Sequence, residues 1–448
     1  MWDCVSHATT PMPKFSHTAL DVIRNEAIRL DGDVRDYDAL LDDIGERSFV
    51  LLGEATHGTQ EFYRMRADLT LRLIAEKGFD AIAVEADWPD AYRLNRFVRG
   101  EGHDQAARSA FDDFQRFPRW MWRNEEVLRF VERLRDINMT RQVKERVGFY
   151  GLDMYSMYRS ANAVVDYLST VDEEQAAIAK EQYAALDHVR DPQRYGYEAV
   201  LGLRPDCREA VRQRLLDLWT LAPEYPAADG RGAMDAYFFA ERNAQVVASA
   251  ESYYRAMFGS RAASWNVRDE HMVQTLFALQ EHLRALGNAG KVVVWAHNSH
   301  LGDARATEMS RAGEWNVGQL VRERVGANAA WLVGFTTCTG TVTAAYEWDG
   351  EAECRQVREA RQDSYEGLFH RTRLDRFYLP MQGEAAHVLR DPLLERAIGV
   401  LYRADTEYES HYFMASIAAQ FDAVFHLDET TAVEPLDAAA TRLEMQPV

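Results

Sequence analysis

The stretch SFVLLGEATHGTQEFYRMRADLTLRLIAEKGFDAIAVEAD, Ser48 to Asp87, decides how the whole chain is read. Phe49 to Leu52 is a short apolar run closed by Gly53, and Ala81 to Val84 is a second, bounded by Gly78 and Asp87. Both are too short for buried helices and suit strands of a parallel sheet covered on both faces. Between them Phe62, Met65, Leu69, Leu73 and Ile74 recur at helical spacing with charges opposite, which predicts a crossover helix joining two parallel strands. Polar groups placed just after such strands emerge at the carboxyl edge of the sheet, where open α/β folds build their sites. Glu54 and His57 follow the first strand and Glu85 ends the second. Neighbouring strands lie about 5 Å apart, so these three side chains meet over one edge.

Working outward, Phe15 to Ile44 reads as two short amphipathic helices that cover this sheet. Trp88-Pro89 turns the chain into another helix ending near Gly100. Phe111 to Trp122, FDDFQRFPRWMW, is dense in aromatics: it serves either local packing or, with Trp122, an apolar wall for a bulky ligand. A helix through Val127 and Leu134 leads to a third buried strand, Val147 to Asp153, with Asp153 at its carboxyl end. From Ser156 to Gly290 apolar residues recur at helical spacing with no strand between them, interrupted by loops at Asp191-Pro192 and Pro223 to Gly232. Val292 to Trp295 resumes the sheet and runs into His297-Asn298-Ser299-His300. Further strands are expected at Trp331 to Phe335, Ala397 to Leu401 and Phe421 to Phe425, with helices near Val317 to Val325 and Tyr412 to Ala419. Thr341 to Trp348, followed by Asp349-Gly350, reads as one arm of a hairpin. The fold class is α/β: a largely parallel sheet flanked by helices, with an inserted all-helical subdomain. Residues 15–155 and 291–428 form the two parts of the α/β core, 156–290 the helical subdomain, and 429–448 a loosely attached tail.

Bulk properties narrow the partners. The 51 basic and 71 acidic residues give a formal charge of −20, which argues against nucleic acid or an anionic membrane and mildly favours cationic small molecules. Four scattered cysteines without CxxC pairing suit a reduced, cytoplasmic protein. The first fifteen residues hold no apolar signal core, and no uncharged run is long enough to span a bilayer. A small-molecule substrate is therefore expected, with no nucleic-acid or membrane partner; the sequence carries no signal for oligomeric state.

Four polar clusters, Glu54/His57, Glu85, Asp153 and His297/His300, each follow a predicted buried strand. One such residue is as often a satisfied cap as a functional group; four together predict a site. An imidazole held by a carboxylate is a general base near neutral pH, and further imidazoles or an arginine stabilise an oxyanion, which suits water attack on an ester or amide. The same Glu54, His57, Glu85, His297 and His300 also suit a divalent metal, and the i, i+3 spacing of His297 and His300 permits it. No GxSxG elbow, HExxH, Walker-type GK[ST] or GxGxxG is present. Ser299 reads as a turn residue rather than a nucleophile, and Cys338, with no activating neighbour in sequence, as a buried structural thiol.

GEATHGTQEF (Gly53 to Phe62), VEAD (Val84 to Asp87), FYGLD (Phe149 to Asp153), NVRDEHM (Asn266 to Met272) and WAHNSHLGD (Trp295 to Asp303) together resemble the erythromycin esterase family, whose members also carry succinoglycan biosynthesis labels. The resemblance runs in order from about Phe15 to Leu427. It implies a carboxylic ester hydrolase that opens a macrolactone and confers macrolide resistance, with an α/β core, a helical subdomain and a deep cleft between them. By matching motif positions, His57 is implied as the base that activates water, with Glu54 and Glu85 bracketing that water. Arg66 is similar to the family arginine that pairs with the carboxylates, and His297 and His300 resemble the pair completing the cleft. Metal-free hydrolysis without a cofactor is implied, since Arg66 supplies positive charge where a metal otherwise would. A helix opening at Asn266 would aim Arg268, with His271, at the cleft, although Arg268 and Asp269 read equally as an interdomain ion pair. Asp153, Arg268 and Trp122 are then candidate substrate contacts. In macrolide-active members the glutamate-to-histidine turn differs and a bulky residue follows the histidine; here Ala55, Thr56 and Gly58 follow the broader branch. A metal-dependent hydrolase, a tailoring enzyme acting on a peptide or polysaccharide, and a non-hydrolytic metal- or haem-binding protein remain the alternatives.

Overall fold

The computed structural model describes residues 17–437, except 185, 187–190, 204–207 and 222–230. Its strands are β1 (Ile28–Arg29), β2 (Phe49–Leu52), β3 (Ala81–Asp87), β4 (Gly148–Asp153), β5 (Val292–Trp295), β6 (Ala330–Ala344), β7 (Glu353–Val357), β8 (Arg376–Pro380), β9 (Leu393–Arg396), β10 (Tyr412–Ala415) and β11 (Ala423–Thr430). Among the described residues the main sheet runs β1-β8-β11-β6-β2-β5-β3-β4, with β7 pairing β6. From β11 to β4 every pairing along that path is parallel, and β8, β1 and β7 join antiparallel at one side. The mixed α/β class with a mostly parallel sheet is therefore as the apolar runs predicted.

Alternate residues of each strand feed opposite faces. Val50, Leu52, Ile82, Val84, Val293 and Trp295 pack on one side with α2 (Asp38–Ile44), α3 (Gln60–Glu76), α4 (Trp88–Val98) and α5 (Glu125–Met139). Phe49, Leu51, Ala81, Ala83, Val292 and Val294 pack on the other with α1 (His17–Glu26) and, further on in the chain, with residues 272–283. Burial on both faces explains why β2, β3 and β5 are continuous apolar runs rather than alternating ones. Each such fully buried aliphatic side chain contributes roughly 1.5–3 kcal/mol.

Between β4 and β5 the described chain is helical: α6 (Met157–Val171), α7 (Glu173–Ala184), α8 (Pro192–Val200), α9 (Arg208–Leu221), α10 (Arg231–Ala256) and α11 (Arg261–Ala285). Helices α6 to α10 share an apolar cluster of their own, including Val164, Leu168, Leu218 and Val247. In contrast α11 lays Met272, Leu276, Phe277 and Leu279 against the sheet. Asp191-Pro192, expected as a loop, instead opens α8: the Asp191 carboxylate accepts the Gln193 N–H at 3.0 Å and Pro192 fills the first helical position, where its missing donor costs nothing. The loop expected at Pro223 to Gly232 lies outside the described residues up to 230.

Three expectations for the last hundred residues fail. Ala397 to Leu401 makes no ladder; Gly399 interrupts the run, and only Ile398 and Leu401 form single bridges, to Thr56 and Ala345. The strand lies just before it, and β9 pairs antiparallel with β10 over residues 412–415, where a helix was expected. That helix shrinks to the single turn Ile417–Gln420. Residues 429–437 are not loose. Gln60 N–H donates to Thr431 O at 2.8 Å and Val433 N–H to Gly58 O at 2.9 Å, while Val433 and Leu436 are buried in the core. The remainder of the expected tail lies outside the described residues.

Candidate active site

The turn after β2 is built around a close approach. A Cβ on Gly53 would lie 2.2 Å from Asn298 Oδ1, so the chain here admits only glycine. Glu54, 1% exposed, then sits below the sheet edge, accepting from His57 Nδ1 at 2.9 Å and from Arg66 Nη2 at 2.5 Å. Arg66 lies on the buried face of α3, wholly out of solvent, between the rings of Tyr63 and Trp295 at 4.6 and 5.1 Å. Tyr63 Oη donates to His57 O at 2.8 Å, pinning the turn. Because Nδ1–H is spent on Glu54, His57 presents Nε2, which has no hydrogen-bond partner among the described residues, to the cleft.

Glu85 is two strands over, not on the neighbouring strand expected, because β5 pairs between β2 and β3; it accepts the His297 backbone N–H at 2.9 Å and Arg268 Nη2 at 2.7 Å. Arg268 also grips Asp153 with Nε at 3.1 Å and Nη2 at 2.7 Å, an ion pair made while its side chain lines the cleft, whereas Asp269 bonds His300 instead. Trp122 Nε1 donates to Glu85 O at 3.1 Å. His297 caps the one-turn helix α12 (Asn298–Leu301); its Nδ1 accepts the Ser299 N–H at 3.2 Å, so Nε2 carries the proton and points to Ala55 O at 3.2 Å. The His297 and His57 rings lie 4.9 Å apart. His300 is tied at both nitrogens, Nδ1 to Asp269 at 2.9 and 3.0 Å and Nε2 to Arg268 Nη1 at 3.0 Å, and its ring stacks on Trp265 at 4.5 Å.

Charge is sorted accordingly. Burial pushes the Glu85 carboxyl up, but His300, Arg268, His57 and the His297 N–H together hold it well below the usual carboxylate range. Burial, reinforced by repulsion from His57 and His300, lowers His297 to about 3 against the pull of Glu85, so it is neutral. Against burial, Asp269 and Glu85 raise the His300 pKa. The neutral ring accepts from Arg268 at Nε2; a proton there gives up that bond for Glu85 Oε1, 3.5 Å away.

These groups floor a cleft of about 950 Å³, within the range of cavities that enclose drug-sized ligands. His57, Glu85, Asp153, Arg268, His297 and His300 reach it, whereas Glu54 and Arg66 lie underneath. The aromatic segment does both jobs expected of it: Phe111 and Trp120 pack in the core, while Phe117, Met121 and Trp122 line the cleft. His271 does not reach the cleft lining; it is buried, 3.4 Å from Thr275 Oγ1. The helix opens at Arg261, five residues before the expected Asn266. That extra turn carries Trp265, which the sequence reading missed; its place three residues before Arg268, hence on the same helix face, was the available signal. Tyr155, under the Arg268 guanidinium at 5.0 Å, was also missed.

As a metal cage the five candidate ligands fit poorly. Both carboxylates are engaged by arginines, His300 Nε2 by Arg268, and His297 Nε2 holds its proton toward Ala55. No three of them bring donor atoms within 4.8 Å of one another. No helix among the described residues is long and apolar enough to cross a membrane.

Comparison with known proteins agrees on one group. Residues 74–430 match the family described as erythromycin esterase. A curated relative, erythromycin esterase type II of Escherichia coli, is 22% identical over 429 residues, covering 90% of this chain and 94% of that protein. Among solved structures, a succinoglycan biosynthesis protein superposes with a TM-score of 0.73 at 21% identity, covering 93% of this chain and 98% of that one. A Bacillus cereus protein gives 0.74 at 20% identity over the same shares. A histidine-to-asparagine mutant of the erythromycin esterase EreC, in its open conformation, gives 0.67 at 17%, covering 90% of this chain and 96% of that one.

Proposed function

We propose that this chain, which belongs to the erythromycin esterase family, hydrolyses a bulky ester of macrolactone type by direct water attack with His57 as general base. Ester hydrolysis is the family-level activity. The observation that carries the finer reading is the buried Arg66–Glu54–His57 chain, which ends in an imidazole nitrogen open to the cleft. Arg66 holds Glu54 from below, and Glu54 fixes the His57 tautomer and stabilises the imidazolium that forms. A water between His57 Nε2 and Glu85 loses a proton to His57 as its oxygen bonds to the ester carbon. Arg268, held in place by His300 and Asp153, stabilises the resulting oxyanion. The carbon–oxygen bond to the alcohol then breaks, His57 returns the proton to the departing alkoxide, and acid plus alcohol leave. No metal enters this scheme, because the two arginines already supply the positive charge at the carboxylates.

Gly58 bears on the substrate. A Cβ there would lie 1.9 Å from Thr343 O, so the bulky residue that follows the histidine in macrolide-active relatives has no room unless β6 shifts. The test is mass spectrometry of erythromycin incubated with the wild type and with His57→Ala, each with and without a chelator. Gain of one water by the drug, lost in the variant and indifferent to chelation, is expected. An intact drug beside folded protein overturns the macrolactone assignment and favours the tailoring of a different ester or amide. Activity abolished by the chelator overturns the metal-free scheme.

A further inference from the structure

A second cluster of ligating side chains lies outside the cleft, on residues the hydrolytic reading does not use. Strands β6 and β11 pair in parallel with Thr336 opposite His426 and Thr337 opposite Leu427, which sets Cys338 level with Asp428. Side chains alternate along a strand, so Thr336, Cys338, His426 and Asp428 all emerge on one face. It is the face that buries Leu332 and Val424 under α14 (Tyr365–His370), whose last residue is His370. Cys338, His370 and Asp428 thereby place a sulfur, a ring nitrogen and a carboxylate oxygen within 4.8 Å of one another. None of the four lines the catalytic cleft.

The independent sign of a missing occupant is His426. Its side chain is wholly buried between the Phe369 and Phe377 rings, yet its Nε2 has no hydrogen-bond partner and faces Asp428 Oδ1 at 3.5 Å. An orphaned buried ring nitrogen costs about 1–3 kcal/mol unless something satisfies it. Thr336 Oγ1 meets its other nitrogen at 2.9 Å, the kind of outer hydrogen bond that orients a metal-ligating imidazole. Across the cluster His370 Nδ1 donates to Asp428 at 2.8 and 3.0 Å, holding a proton where a cation would sit.

We propose that Cys338, His370, His426 and Asp428 bind a zinc-class divalent cation. One thiolate, one carboxylate and two neutral imidazoles neutralise a charge of +2 and make the four-coordinate donor set that zinc favours. For ligand distances of about 2.0–2.3 Å the Cys338, His370 and Asp428 donors have to draw together, and His426, whose Nε2 stands 3.5 Å from Asp428 Oδ1, has to swing in as the fourth ligand. On binding, the Cys338 proton goes to solvent, and His370 changes tautomer, giving up its Nδ1 proton and carrying one on Nε2 so that the imidazole stays neutral. Access is from the surface, since the His370 side chain is 44% exposed. The ion would tie the ends of β6 and β11 to α14.

The full chain, stripped with a chelator, is titrated with Co(II), whose thiolate charge-transfer band reports a bound cysteine, and then with Zn(II). One equivalent of cobalt is expected to raise the band and zinc to remove it. Cys354→Ser, at an exposed cysteine, should leave the band unchanged; Cys338→Ser should abolish it, and His370→Ala should weaken binding by on the order of 10–100-fold. Cobalt at the catalytic histidines gives no such band, because no cysteine lines that cleft. Absence of a saturable band in the wild type, or its survival in both Cys338→Ser and His370→Ala, overturns the proposal. Should Cys338→Ser fail to fold, the half-exposed His370 decides alone. Zinc should also raise the thermal midpoint of the wild type and leave that of His370→Ala unmoved.

Discussion

One edge of the sheet carries two histidines, each bonded through Nδ1 to a buried carboxylate at the same 2.9 Å, and they do opposite things with the other nitrogen. Beyond β2, His57 leaves Nε2 open to the cleft, and its partner Glu54 is anchored from below by Arg66. Beyond β5, His300 is closed: Asp269 holds one nitrogen, Arg268 the other, and Trp265 covers the ring. The difference teaches that the carboxylate contact alone does not make a base. What separates the two is whether the second nitrogen is left for water, and that is set by which arginine arrives: Arg66 reaches the carboxylate, Arg268 reaches the ring.

The most direct attempt to break this contrast is to exchange the two histidines' importance. His57→Ala should lower kcat/KM by on the order of 10²–10⁴-fold, the range a general base supplies. His300→Asn should cost on the order of 10–100-fold; a larger loss than at His57 would reverse the roles. The next effect is on stability. Arg66→Met strips the buried counter-charge from Glu54 and should lower unfolding free energy by about 3–5 kcal/mol in urea titrations. An unchanged midpoint would show that the Arg66–Glu54 pair does not hold the fold together.

Titration sharpens the same comparison. His297 and His271 are both lowered to about 3, chiefly by burial, whereas an unfolded histidine titrates near 6.5. Their contribution is present above about pH 6.5 and is lost as pH falls toward 3, because the unfolded chain takes up the proton first. His300 carries the opposite sign: its raised pKa stabilises the fold below about pH 6.5 and that stability is lost as pH rises through the folded value. His271→Leu should therefore flatten the acid limb of the stability curve by on the order of a few kcal/mol, and His300→Asn should flatten only the alkaline side. The smallest expected effect is at Trp122→Phe, which keeps the apolar wall and loses the bond to Glu85 O, worth about 1 kcal/mol. KM should rise several-fold with kcat nearly unchanged.

Much of the site was legible because strand ends are local signals. Glu54, Glu85, Asp153, His297 and His300 were each marked by an apolar run just before them, and the parallel sheet converts that pattern into one shared edge. Asp269, Trp265 and Tyr155 carry no such mark. They arrive from α11 and the loop after β4, where no apolar run ends, and the local signal was confined to Trp265, one turn before Arg268 on the same helix face. The failures in the last hundred residues have one cause as well: Ala397 to Leu401 and Tyr412 to Ala419 have the composition of a strand and a helix, but pairing across the β9–β10 ribbon and single bridges at the cleft rim overrode both.

By itself the sequence determined the parallel sheet, the crossover helix and the rank of acids and histidines along one edge, because short apolar runs and helical periodicity are properties of neighbouring residues. Only the tertiary structure decided which histidine is open and which is closed, that Gly58 lies against Thr343, and that Cys338 meets His370 and Asp428. Those outcomes depend on contacts between residues far apart in the chain, and they are fixed by packing rather than by any local pattern.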